Sequence, residues 1–347
     1  MEEFLRNAAE RINSMQSYFR VAESRINSLR NKICNNAGEN FCIKVDKENL
    51  NGLKVAAVDS GFMLRSFYSV DIMLVKAKAA IFEYENNCLK KTAVYPELEI
   101  MPKPILLGHA LERDELNAAR SLHRLKEEIG LANKILQRFK PDVLLLDGSV
   151  VPQQADKPRA DSELKKFYKE VIGEFEMLYE NSQKMSCLLI GVIEDSRGAR
   201  MKKIIENEIG ESFNMLGDVG IANILLRKNE RTFVFSYSSE AEKHYILADF
   251  KEEWKNKIFA FYLKPSEFDV PIRVEFISEN KSIANKIASI ILSLSSFHKE
   301  YAYPSVLIEA DMRARLNDKE INMVFEGLEK RIKGEFALMR RERRPFL

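Results

Sequence analysis

Histidine and cysteine are scarce in this chain, with four residues of each. His109, His123, His244 and His298 stand alone, with no HxH or HExxH spacing, which excludes a zinc hydrolase of that kind. Cys34, Cys42, Cys88 and Cys187 form no CxxC pair. Neither a zinc ribbon nor a disulfide framework is expected from them, and reduced thiols in a cytoplasmic protein are. The 14 glycines form no GxGxxG, no GxxxxGK[ST] and no Gly-x-Ser-x-Gly elbow. Dinucleotide, P-loop and serine-hydrolase sites are thereby excluded at the level of motif. No window approaches the roughly 18 apolar residues of a membrane helix. The opening MEEFLRNAAERINSMQSYF is acidic and amphipathic and lacks the apolar centre of a signal peptide. A dominant charge is missing as well: Lys plus Arg is 54 against 52 for Asp plus Glu, a net +2. Nucleic-acid binding, if present, must rest on local rather than global positive charge.

What remains is a chain of 347 residues, 46% hydrophobic and 31% charged, long enough for one large domain or two unequal ones. Residues 1–45 read as an N-terminal helical segment, with Phe4, Ile12, Met15, Phe19, Val21, Ile26 and Leu29 at helical spacing. It either covers the domain or pairs with a second subunit. From residue 46 the period changes. Leu53 to Val58 reads as a buried strand stopped by a turn at Asp59-Ser60-Gly61. Ser66 to Phe82 and Cys88 to Tyr95 read as two further strands of an antiparallel meander. A proline-containing loop at Met101 to Pro104 leads to a helix over about 112–139. Val143 to Leu146 is a fourth strand ending in Asp147-Gly148-Ser149. A helix over 162–182 and a strand over 186–193 follow.

The order β-β-β-α-β-α-β over about 50–200 is that of a ribonuclease H-like α/β fold, a mixed sheet with helices packed on it. Beyond residue 200 the sequence reads as an extension. It has strands at 232–236, 244–250, 258–263 and 272–277 and helices at 281–296 and 306–316. A final helix ends in the basic stretch at Arg340, Arg341, Arg343 and Arg344.

Two carboxylates end apolar strands: Asp59 after Val55-Ala56-Ala57-Val58, and Asp147 after Val143-Leu144-Leu145-Leu146. One strand-end aspartate is an ordinary turn cap. Two of them on parallel central strands emerge at one sheet edge and repel each other unless a cation lies between. Oxygen ligands of this kind suit Mg²⁺ or Mn²⁺. A third acid is expected from the helix at 112–139, where Glu112, Asp114, Glu115, Glu127 and Glu128 are available. Asp147 stands ~16 Å along its strand from Asp142 at ~3.3 Å per residue. An antiparallel helix reaches that height about eleven residues back from Phe139 at ~1.5 Å per residue, which selects Glu128. Asp195, after the strand at 186–193, is a further acid that could face this edge.

The segments Val58-Asp59-Ser60-Gly61, Leu145-Leu146-Asp147-Gly148-Ser149, and Tyr303-Pro304 with Leu307 and Ala310-Asp311, resemble the motifs of the NurA nucleases. The resemblance runs over about 50–316. It implies a metal-dependent deoxyribonuclease of DNA end resection. Mn²⁺ or Mg²⁺ would be held by Asp59, Glu128, Asp147 and Asp311, and Tyr303 would match the late motif's tyrosine. Many members carry His where this chain has Asp311, itself a hard oxygen ligand. The resemblance further implies 5′-directed exonuclease and single-strand endonuclease action on single- and double-stranded DNA, a homodimer, and a HerA-type hexameric ATPase as partner.

The mechanism expected is two-metal phosphodiester hydrolysis, with ions ~3.5–4 Å apart clamping the attacking and leaving oxygens. Two other readings compete. One is an actin- or sugar-kinase-like phosphotransferase, whose phosphate loops Asp59-Ser60-Gly61 and Asp147-Gly148 imitate, though no late Gly-Gly adenosine loop is present. The other is a catalytically silent DNA or ATPase adaptor, against which the four retained acids speak.

Overall fold

A computed structural model describes residues 1–36, 41–97, 101–108, 111–213 and 216–332, so the arginine-rich stretch near Arg340 lies outside the described residues. In chain order the helix α1 (Glu2–Asn36) and strands β1 (Cys42–Lys44), β2 (Lys54–Ser66), β3 (Val70–Glu85), β4 (Cys88–Tyr95) and β5 (Lys103–Gly108) come first. Next come α2 (Arg113–Phe139), β6 (Val143–Asp147), α3 (Lys165–Lys184), β7 (Leu188–Ile193), α4 (Arg200–Ile209) and α5 (Asp218–Leu225). The chain continues through β8 (Glu230–Thr232), β9 (Phe235–Ser236), α6 (Glu252–Lys255), β10 (Ile258–Lys264) and β11 (Ile272–Ile277). Helices α7 (Ala284–Leu294), α8 (Ser305–Ala314) and α9 (Asp318–Glu329) close it. No helix among the described residues is long and apolar enough to cross a membrane.

Two units are woven from alternating segments. The first comprises Met1–Asn49, Val192–Ser239 and Lys257–Pro304; the second comprises Leu50–Gly191, Glu240–Asn256 and Ser305–Leu347.

The second unit carries the ribonuclease H-like core, with strand order β7-β6-β2-β3-β4 and β5 on the other half of β3. Val55 to Val58 are fully buried, because β2 has a parallel neighbour in β6 (Val55 opposite Val143 through Val58 opposite Leu146) and an antiparallel one in β3. A strand flanked on both sides and covered on both faces has no polar side, hence the unbroken apolar run. On α2, the buried stripe Ala118, Leu122, Leu125, Ile129, Ala132 and Leu136 repeats at helical spacing.

The expected stop at Asp59-Ser60-Gly61 is absent. β2 runs on for 13 residues, paired with β3 from Lys54–Glu83 to Ser66–Asp71. Gly61 is a clearance rather than a turn: a Cβ there would stand 2.5 Å from the Ala314 carbonyl oxygen, so only glycine lets α8 close on the strand. The expected loop at Met101 to Pro104 gives way to β5 from Lys103. Pro104 is tolerated there because it sits on an edge strand, opposite Leu74.

The expected strand over 244–250 is instead a pair of 3₁₀ turns, Ala241–Lys243 and Leu247–Asp249. Its apolar residues Ile246, Leu247 and Phe250 are spaced for a turn rather than alternating, and Phe250 stacks on Tyr179 at 5.7 Å.

The first unit has the antiparallel order β1-β8-β10-β11, with β9 on β10. Sequence reading foresaw neither β1 nor the helices α4 and α5. They pack with Ile26 of α1 around Met201, Ile205, Ile221, Leu225, Phe235 and Tyr262. The apolar residues at the start of α1, Phe4, Leu5, Ile12, Met15 and Tyr18, are exposed.

Candidate active site

Four of the acids singled out from the sequence, Asp59, Glu128, Asp147 and Asp311, all belong to the second unit. Asp59 lies in mid-strand, one residue past the last β2–β6 pair, and Asp147 ends β6 at the same level. Successive side chains of a strand point to opposite faces. Ser60 faces α2, where its hydroxyl donates to Glu128 Oε2 at 2.5 Å, and Gly61 faces α8, the helix that carries Asp311.

Glu128 is 3% exposed, the only buried acid of α2. Arg124, one turn earlier, donates to the same Oε2 at 2.8 Å. Burial nonetheless wins, and the Glu128 carboxyl is pushed above its ordinary range, with repulsion from Asp147 adding to the loss of solvent. Asp59, 8% exposed, is pushed up to about 6. Burial is the main cause, then repulsion by Glu128 and by Asp311; the Ser60 backbone N–H and Arg124 pull the other way. The four acids thus share one electrostatic neighbourhood: Asp59 feels Glu128 and Asp311, and Glu128 feels Asp147.

A cluster of mutually repelling carboxylates, Asp59 and Glu128 buried and Asp147 and Asp311 partly exposed, offers the hard oxygen donors that suit a divalent cation. Among the described residues no three His, Cys, Asp or Glu side chains close to ligating geometry in this arrangement. Ser60 and Arg124 hold Glu128, and Arg315 approaches Asp311 at 3.5 Å.

The other candidates make contacts of their own. Glu127 pairs with Lys103, and Glu115 lies 4.0 Å from Arg159. Asp195 and Tyr303 belong to the first unit, where the buried Tyr303 hydroxyl donates to the Val192 carbonyl at 3.0 Å. Ser60 and Arg124, both gripping Glu128, escaped the sequence reading. The only trace they left is the i, i+4 spacing of Arg124 and Glu128.

The family model for the NurA domain matches residues 53–316. Comparison with curated proteins finds no match by sequence. Among solved structures, the NurA nuclease from Sulfolobus solfataricus aligns with a TM-score of 0.62 at 17% identity, over 96% of this chain and 98% of that one. A NurA bound to dAMP and manganese aligns with a TM-score of 0.55 at 10% identity, over 95% and 98%. A NurA with manganese aligns at 0.51 and 10%, over 90% and 98%. At such identities these structures attest the fold, whereas the domain model spans most of the chain. The chain belongs to the NurA family.

Proposed function

We propose that this protein is a divalent-metal-dependent deoxyribonuclease that hydrolyses phosphodiester bonds at the acid cluster of the second unit. The observation that carries the reading is the burial of Asp59 beside Glu128 and Asp311, at the level where β6 ends in Asp147. Family membership supports it, as does a relative captured with dAMP and manganese.

Asp59, Asp147, Glu128 and Asp311 would hold Mn²⁺ or Mg²⁺ as hard oxygen ligands. Bound there, two such ions supply Lewis-acid activation of water and neutralise charge on the leaving oxygen. The protein's own groups set the geometry. Ser60 and Arg124 orient Glu128, and Gly61 admits the helix bearing Asp311. Tyr303, fixed through its hydroxyl, anchors the segment just before α8. On this reading the nuclease domain spans 46–347 around a core of about 50–200. It acts in the cytoplasm as a homodimer, on single- and double-stranded DNA in end resection. It degrades DNA exonucleolytically from 5′ ends and cuts single strands internally, with a HerA-type ATPase as partner.

End-labelled DNA incubated with Mn²⁺, with EDTA and with Mn²⁺ plus ATP tests the reading. Cleavage in Mn²⁺ that ceases in EDTA and needs no ATP is expected. Equal degradation in EDTA, or phosphate transfer from ATP without cleavage, would overturn it.

A further inference from the structure

The near-neutral net charge requires any nucleic-acid contact to be local, and the second unit contains a basic recess, in which Arg159 is paired with Glu112 at 3.0 Å. It is a cavity of about 530 Å³ between the loop after β6, the face of α3 and the turns around residue 245. Lys157, Arg159, Lys165 and Lys169 line it together with the rings of Tyr168 and Tyr245. Its two acids are already engaged. Asp249 takes Lys157 Nζ at 2.6 Å and the Tyr168 hydroxyl at 2.8 Å, and Glu176 accepts the Lys251 backbone N–H at 2.7 Å. Lys165 and Lys169, one turn apart on α3, are exposed and make no ion pair among the described residues. Tyr245 is 50% exposed, with Lys157 Nζ 4.5 Å over its ring.

The lining also includes a glycine of α3. Gly173 sits inside the 20-residue helix α3, where glycine costs about 1 kcal/mol relative to alanine. Its backbone has an ordinary helical conformation, and a Cβ there would meet nothing within 4 Å. A larger side chain at this lining position would therefore meet no neighbour and offers a way to obstruct the recess.

We infer that this recess binds a nucleoside phosphate, its base against Tyr245 and its phosphate between Lys165 and Lys169, as one nucleotide of a single DNA strand held away from the scissile bond. Lysines tracking the backbone beside an aromatic platform are how single strands are held without sequence preference. The inference deepens the nuclease reading and rests on it for the identity of the strand.

The test measures anisotropy of a labelled single-stranded oligodeoxynucleotide on the full chain in EDTA, with calorimetric titration of dAMP as the second arm. The variants are the double Lys165→Ala/Lys169→Ala and, separately, Gly173→Leu, which obstructs the recess. The double variant also serves should Gly173→Leu lower the melting temperature.

Oligonucleotide affinity is expected to fall about tenfold in each variant, with the log-salt slope shallower by roughly 1.4 only where two lysines are lost. Mn²⁺-dependent hydrolysis of a small chromogenic phosphodiester should be unchanged. Loss of dAMP binding in the same variants would show that the recess also takes the free nucleotide; loss confined to the oligonucleotide assigns it to the strand. If both variants bind oligonucleotide and dAMP as the wild type does, the recess is no nucleotide site, although the nuclease reading stands. If the wild type cleaves nothing with Mn²⁺ yet the variants lose dAMP, the nuclease reading fails and the recess remains.

Discussion

The first unit buries Asp218 and Glu275; the second buries, among other acids, the neighbouring pair Asp59 and Glu128. In the first, both of these acids are answered. Asp218 caps α4 by accepting the Met201 and Lys202 backbone N–H groups at 3.0 and 2.8 Å and the Tyr262 hydroxyl at 3.1 Å. Glu275 pairs with Arg273 at 2.8 Å. In the second, acid stands beside acid, and the partial answers from Ser60 and Arg124 leave both Asp59 and Glu128 shifted upward. A satisfied buried network holds a fold together, while a frustrated one is sustained by a task.

Removing an acid from each cluster should separate the two most sharply. Asp59→Asn and Asp147→Asn are expected to lower Mn²⁺-dependent DNA cleavage by more than the roughly 10–100-fold typical of supporting groups around a metal. Both should leave circular dichroism unchanged. Asp218→Ala, by contrast, is expected to unfold about 2–3 kcal/mol more easily in denaturant titrations, since it strands two backbone donors and a buried hydroxyl. Normal cleavage by Asp59→Asn, or unaltered stability of Asp218→Ala, would erase the distinction.

A pH titration extends it. The folded Asp59 carboxyl, at about 6, lies above its ordinary 3.8, so its ionised form opposes folding. The chelated protein should therefore gain up to about 3 kcal/mol as pH falls from above 6 towards 4. Melting curves in EDTA across this window should show a smaller gain in Asp59→Asn, where the raised Glu128 carboxyl remains, than in the wild type, and Asp59→Asn should also melt higher at neutral pH. The same curves for both proteins would refute it.

Along α2 the effects should shrink. Glu128→Gln is expected to lose most activity. Glu115→Gln and Glu127→Gln, which give up only the contact with Arg159 and the exposed pair with Lys103, should change it less than about twofold.

Much of this site was legible because it lies on periodic elements. The apolar strands bearing Asp59 and Asp147 and the stripe on α2 are local patterns, and matching their rises was enough to set Glu128 level with Asp147. What escaped depends on distant partners. The continuation of β2 past Asp59 is stabilised by pairing with β3, and Gly61 imitates a turn unless α8 is known to lie against it. The apolar run at 244–250 resembles a strand until Tyr179 is seen to gather it into turns. Ser60 sits inside a recognised motif and Arg124 one turn from Glu128, yet only their bonds to Glu128 reveal their part.

The contact between Gly61 and Ala314 ties an early strand to a late helix. During synthesis, at about 5–20 residues per second, β2, α2 and β6 leave the ribosome well before α8. A nascent chain therefore holds Asp59, Glu128 and Asp147 before Asp311, and the four acids come together only once α8 has been made. On the proposed reading, this order of assembly withholds activity until α8 has emerged.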